Sequence, residues 1–203
     1  MTYVDTRSEF ALNEFSEVFN RYLSSKLQED NEICILCIGT DRATGDSLGP
    51  LVGQKLAEST ALLDGIFVYG TLLSPVHARN LSLTVGEIYA LHKNPLIIAV
   101  DAGLGQTEHV GWISTGHGAI RPGAGLNKSL QPVGDIFITG IVNFSGVMEF
   151  YLLQNTRLGL VMRMAEIVHG GVLGTLIMHR GLKLCPVSAD NLLQPLSSSL
   201  SHK

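Results

Sequence analysis

The run ICILCIGTDRATGDSLGP, residues 33–50, joins an apolar segment to a helix through a polar loop. Its first part, residues 33–39, is rich in Ile and has no charge, which is typical of a strand buried on both faces of a parallel sheet. A helix follows from residue 48, and Pro50 lies in its first turn, where the missing N–H costs little. The run therefore predicts a strand, a loop at residues 40–47 and a helix, which together form one unit of an α/β fold.

Strand and helix patterns alternate along the rest of the chain. Short apolar segments predict further strands at residues 66–70, 96–100, 110–115 and 135–141. Apolar residues at helical spacing predict helices at residues 8–27, 78–92, 145–154 and 157–180. This alternation predicts an α/β fold with a mostly parallel central sheet and helices on both faces.

The length of 203 residues and a hydrophobic content of 45% fit one domain with a substantial core. We expect a single domain over residues 1–203, with a helical segment at residues 1–29 and a loosely ordered tail at residues 184–203. The net charge of -4 and the scattered basic residues disfavour a nucleic-acid partner.

Neither a signal peptide nor a membrane span is expected. The N-terminus has no basic region followed by an apolar run. The longest apolar stretch, residues 158–178, contains Arg163, Glu166 and His169, so a buried or amphipathic helix suits it better than a span. We therefore expect a cytoplasmic protein without a membrane partner.

Cys34 and Cys37 have the C-x-x-C spacing of metal and redox sites. Residues three apart in a strand point to opposite faces, so these two thiols would not meet. We interpret them as small buried hydrophobic residues. The third cysteine, Cys185, makes the total odd, which fits a reducing compartment better than a disulfide framework.

Two aspartates follow the strongest predicted strands. In such sheets functional residues gather at the carboxyl ends of strands, which selects Asp46 in the glycine-rich loop and Asp101 after residues 96–100. Asp46 is equally suited to cap a helix, and Asp101 to form a turn. If both strands are central, however, the two carboxyl groups come close, one pKa rises and the pair can share a proton. One group then serves as base and the other as acid, without a cofactor.

Five polar residues near these strand ends are candidates to bind a substrate: Thr40, Arg42, Ser47, His77 and Asn143. Arg42 is either a solvated loop charge or a partner for a substrate carboxylate or carbonyl. Asn143 either binds substrate or caps a helix that starts near residue 145. His77 follows the strand at residues 66–70 and would face the same rim as Asp46.

Residues 37–53, CIGTDRATGDSLGPLVG, resemble the signature of the YyaC family of sporulation proteins, and about residues 30–180 follow that family. The resemblance implies kinship with the spore germination protease and, more distantly, with the hydrogenase maturation endopeptidases. Those proteins share a three-layer α/β/α sandwich of the phosphorylase/hydrolase type. We therefore expect a sporulation-associated, peptidase-like hydrolase in the cytoplasm of a sporulating cell or forespore.

The resemblance also implies roles for single residues. GDSLGP at residues 45–50 and VDA at residues 100–102 are similar to the germination protease segments that hold its catalytic aspartates, so Asp46 and Asp101 inherit that role. The hydrogenase maturation enzymes place a nickel-binding His where this chain has Asn143, and Asn is a poor nickel ligand. The expected site is metal-free and acts on a protein or peptide. The alternative is a non-catalytic binding or regulatory protein on a protease-like scaffold.

Overall fold

A computed structural model describes residues 1–61, 63–122 and 131–181. The strands are β1 Thr2–Asp5, β2 Glu32–Cys37, β3 Ile66–Tyr69, β4 Pro95–Gly105, β5 Trp112–His117 and β6 Ile136–Phe144. The helices are α1 Ala11–Ser24, α2 Leu48–Thr60, α3 Leu81–Leu91, α4 Glu149–Gln154 and α5 Leu158–Arg180. A short 3-10 helix, Thr44–Ser47, precedes α2 and is called the Asp46 turn below. The tail expected at residues 184–203 and Cys185 lie outside the described residues.

The six strands form one mixed sheet in the order β1-β5-β6-β4-β2-β3. The neighbouring strands β3, β2, β4 and β6 are parallel, whereas β5 is antiparallel to both β6 and β1. The predicted α/β class is confirmed, and the parallel part of the sheet contains both strands that were expected to bear the functional aspartates.

The sheet has two covered faces, because its central strands are apolar on both sides. In β2, Ile33, Ile35 and Cys37 belong to a core formed with α1, α2 and α5. Cys34 and Leu36 belong to a second core under α3. The two cysteines are free and lie on opposite faces, as predicted. Burial raises the pKa of both thiols, and that of Cys34 rises to about 12.

Helix α5 is long and apolar enough to cross a membrane by length and composition. It packs against α1 and α2 in the larger core. Six of its apolar side chains are fully buried there: Val161, Met164, Ala165, Val168, Val172 and Leu176. This packing is that of a core helix, as the charged residues within the segment indicated.

Several boundaries differ from the sequence prediction, and three of these differences follow from strand pairing. Strand β4 does not end at Asp101, because residues 102–105 continue to pair with β6. The N-terminal segment is not only helical, since β1 precedes α1 and pairs with β5. The helix expected from residue 145 begins at Glu149, because the N–H of Ser145 still donates to the Gly105 carbonyl and prolongs the strand pairing.

Candidate active site

The Asp46 turn lies beyond the carboxyl end of β2. Its position depends on Gly39, which has φ 141° and whose absent side chain makes room for the Asp46 carbonyl oxygen. The N–H of Thr40 donates to that oxygen at 3.0 Å, and the N–H of Asp46 donates to Ala43 at 3.0 Å. The loop therefore folds back on the end of β2 and holds Asp46 beside the sheet, with the residue half-buried.

Asp101 lies within β4, between the end of β2 and strand β6. It is in register with Thr139, and the N–H of Ile38 donates to the carbonyl oxygen of the preceding residue, Val100. Ile97 and Ala99 belong to the core under α3. By strand alternation, Asp101 points to that same face. Only 8% of the residue is exposed, so this carboxyl group is nearly removed from water.

The electrostatics of the site make the two carboxyl groups unequal. Burial raises the pKa of Asp101 well above its ordinary value, and the negative charge of Asp46 raises it further. The N–H of Ala102, which donates to Asp101 Oδ1 at 2.9 Å, only partly opposes this shift. The fold therefore places Asp46 and Asp101 within electrostatic reach, and Asp101 holds a proton more readily than an ordinary carboxyl group.

The structure also tests the two alternative roles, helix capping for Asp46 and turn formation for Asp101. The N-cap position of α2 is Ser47 rather than Asp46. Asp101 does not form a turn, because it lies inside a continuous strand. Thr139, its neighbour in β6, was not singled out in the sequence, since nothing in the sequence gives the register of two residues that are 38 positions apart.

Three of the candidate binding residues lie in the loop itself. The Thr40 hydroxyl accepts the N–H of Arg42 at 3.3 Å. The Ser47 hydroxyl is buried and donates to the Thr44 carbonyl at 2.6 Å. Arg42 is exposed. Thr40 and Ser47 therefore stabilise the loop, whereas the Arg42 side chain is accessible to a ligand.

His77 lies at the same edge of the sheet, because the carbonyl of its neighbour Val76 accepts the N–H of Gly39. Its backbone N–H donates to Asn80 Oδ1 at 2.8 Å. Within the described part of the chain, the buried Nδ1 atom of His77 has no hydrogen-bond partner. His77 thus lies at the same edge of the sheet as the Asp46 turn, and its role in binding a substrate stays a prediction.

Asn143 is in β6, where it pairs with Leu104 of β4. Its Nδ2 donates to the Leu152 carbonyl at 3.1 Å and to Thr156 Oγ1 at 3.2 Å. Its Oδ1 accepts the N–H of Phe144 at 3.0 Å. Both ends of this amide are therefore bonded within the protein. In the described ranges, no group of three or more His, Cys, Asp or Glu side chains is arranged to hold a metal ion.

Comparisons with known proteins identify the family of this chain. The chain belongs to the family described as "Protein of unknown function (DUF1256)", whose model matches residues 3–171. It is 53% identical over 152 residues to "Uncharacterized protein YyaC" of Bacillus subtilis (strain 168), which covers 74% of this chain and 73% of that protein. These matches confirm the resemblance to the YyaC family.

The fold is similar to that of the [NiFe] hydrogenase maturation protease HycI from Thermococcus kodakarensis KOD1. The TM-score is 0.53 at 19% identity, and the alignment covers 78% of this chain and 98% of that one. This likeness shows the fold. The link to the germination protease stays a prediction.

Proposed function

We propose that this chain, as a member of that family, is a peptidase-like hydrolase of sporulation whose acid–base pair is Asp46 and Asp101. The observation that supports the proposal most is the unequal environment of the two groups. Asp101 is buried and has a raised pKa, whereas Asp46 is half-buried in a loop. Two carboxyl groups whose environments separate their pKa values are suited to divide the roles of acid and base.

In the proposed mechanism Asp46 begins ionised and Asp101 begins protonated. Asp46 takes a proton from water as the water oxygen bonds to the peptide carbonyl carbon, and Asp101 gives its proton to the carbonyl oxygen. Asp46 then gives its proton to the amide nitrogen as the C–N bond breaks. One hydroxyl proton of the intermediate returns to Asp101, which restores both groups. No cofactor takes part.

The surface beside the Asp46 turn supports a protein or peptide as substrate. Helix α4 packs against this turn. Large apolar side chains are exposed in and around α4: Phe144, Val147, Met148, Phe150, Tyr151 and Leu158. Exposed apolar patches of this kind mark interaction sites for other polypeptides. We place the reaction in the cytoplasm of a sporulating cell or forespore, as the resemblance implies.

The proposal is tested by cleavage of small spore proteins by the purified full chain. Asp46→Asn and Asp101→Asn each remove a proton-transfer group while keeping the shape of the side chain. We expect each to slow cleavage by about 10²- to 10⁴-fold. Asp64→Asn, an exposed carboxylate at the start of β3, is the matched control and should cleave at the parent rate. Undiminished cleavage by either site variant, or no cleavage by the parent, contradicts the proposal.

A second function is favoured by the hydrogen bonds of Ser47 and Asn143. Both side chains are candidates to bind substrate, and both are hydrogen-bonded within the protein. A non-catalytic binding or regulatory protein needs the fold and the exposed apolar surface around α4, but it does not need the Asn143 amide to be free for a substrate. Tight binding of a spore protein that is unchanged in Asp101→Asn and leads to no cleavage would establish this function.

A further inference from the structure

The side chain of Asn143 is connected to the Asp46 turn through the end of α4. Its Nδ2 holds the Leu152 carbonyl and Thr156 Oγ1, and the Thr156 hydroxyl itself donates to the Leu152 carbonyl at 2.9 Å. Thr156 is buried, with 7% of the residue exposed. These three hydrogen bonds form a closed set that fixes the end of α4 to strand β6.

The same end of α4 lies directly against the Asp46 turn. A methyl group added at Gly45 would lie 2.8 Å from Thr156 Oγ1 and 2.9 Å from the Leu153 carbonyl oxygen. The side chains of Leu153 and Ala43 are both buried in the larger core. The backbone next to Asp46 therefore rests on the atoms that Asn143 holds in place.

The two carboxyl groups differ in what fixes them. Asp101 is part of the sheet: it pairs with Thr139 of β6, and the residue before it, Val100, pairs with Cys37 at the end of β2. The Asp46 turn lies outside the sheet, where the N–H of Thr40 holds its backbone on one side. Asn143 lies in β6, which pairs with β4, so its amide joins the sheet that contains Asp101 to the support under Asp46.

We infer that Asn143 is a positioning residue that holds the Asp46 turn in place relative to Asp101 through Thr156 and the end of α4. Its consequence for catalysis rests on the proposed function, but its effect on the position of Asp46 does not. An amide is required, because only Nδ2 donates two hydrogen bonds while Oδ1 accepts one. A carboxylate of the same shape would place a negative oxygen against the Leu152 carbonyl.

The test compares Asn143→Asp and Thr156→Val with Asn155→Asp. Asn155 is the matched control, because its amide also donates to a carbonyl of α4, that of Tyr151, at an exposed position. Amide hydrogen exchange is measured at Thr40 and Asp46, whose N–H groups hold the turn. We expect exchange at both to be about tenfold faster in the first two variants and unchanged in the control.

A second measurement distinguishes positioning of Asp46 from general loosening. Carbon-13 NMR of the Asp101 carboxyl group gives its pKa, which depends on how near the charge of Asp46 lies. We expect this pKa to move toward its value in Asp46→Asn when Thr156 is changed to Val, a substitution that adds no charge. Thr156→Ser keeps the hydroxyl and should restore the parent value.

Unchanged exchange in Asn143→Asp, or an unchanged Asp101 pKa in Thr156→Val, would overturn the inference. If Asn143→Asp does not fold, the difference between Thr156→Val and Thr156→Ser decides, and identical values in the two would also overturn it. Neither measurement uses cleavage. A chain that cleaves nothing would contradict the proposed function and leave this inference intact. A chain that cleaves, but whose exchange and Asp101 pKa do not respond to these substitutions, would contradict this inference and leave the proposed function intact.

Discussion

The Asp46 turn and the middle of strand β4 each present one carboxyl group, but by different means. The turn is held by backbone contacts that depend on Gly39, and its aspartate remains half-buried. Asp101 is fixed between two neighbouring strands and is almost fully buried. The difference indicates that burial decides which carboxyl group keeps a proton, whereas close backbone approach decides where the other one lies.

Replacing Gly39 by Ala should have the largest effect, because it removes the space on which the turn depends. The new Cβ would overlap the Asp46 carbonyl, and φ 141° is unfavourable for any residue with a side chain. Strain and overpacking each cost about 1–3 kcal/mol, so urea unfolding should show a loss of several kcal/mol. Gly86→Ala, at an exposed position of α3, should instead stabilise by about 0.5–1 kcal/mol. A neutral Gly39→Ala would contradict this account of the turn.

Asp101→Asn should change how stability depends on pH. The pKa of Asp101 is higher in the folded chain than its unfolded value of about 3.9, so its contribution is fully present below that pH and is lost as pH rises through the folded pKa. The variant cannot ionise and avoids this loss. Its free energy of unfolding should exceed that of the parent at neutral pH, by about 1.4 kcal/mol for each tenfold difference in proton affinity.

Urea unfolding between about pH 3 and 8 checks this expectation. The curves of the parent and Asp101→Asn should approach each other at acid pH and separate as pH rises. Asp64→Asn, with its exposed side chain, should follow the parent throughout. Parallel curves for the parent and Asp101→Asn would show that Asp101 is an ordinary carboxylate.

Ser47→Ala should have a smaller effect, confined to the turn. It removes the hydroxyl that donates to the Thr44 carbonyl in a buried setting, which costs about 1 kcal/mol of stability. Ser59→Ala removes a similar bond to the Lys55 carbonyl, together with a bond to His169, at an exposed position of α2 and should change stability by less than about 0.5 kcal/mol. Equal losses of unfolding free energy in the two variants would mean that burial does not strengthen the contribution of the Ser47 hydrogen bond.

Arg42→Gln should leave stability within about 0.5 kcal/mol of the parent, because the side chain is exposed. If Arg42 binds the substrate, steady-state cleavage should show a raised KM and an unchanged kcat. An unchanged KM would assign Arg42 to the solvated surface.

The sequence predicted the parts of the site that depend on local pattern. The apolar run at residues 33–39 identified β2, and residue alternation correctly separated Cys34 from Cys37. It could not show that β4 continues beyond Asp101, since residues 102–105 are strand only through their pairing with β6. The order of strands, and therefore the approach of Asp46 to Asp101, rests on contacts between distant residues.

Asn143 shows the limit of reasoning from residue type alone. Its position in the sequence predicted one of two roles, substrate binding or capping of a nearby helix. The structure gives its amide partners at Leu152, Thr156 and Phe144, the first two of which are nine and thirteen residues away. No periodic pattern specifies such side-chain bonds, because they depend on where α4 ends and how it packs.

The central claim is that Asp101 holds a proton because it is buried beside the charge of Asp46. Carbon-13 NMR titration of the Asp101 carboxyl group in the parent and in Asp46→Asn tests it most directly. The account predicts a pKa well above the ordinary value in the parent and a lower one in Asp46→Asn. An ordinary pKa in the parent, or the same pKa in both proteins, would contradict it.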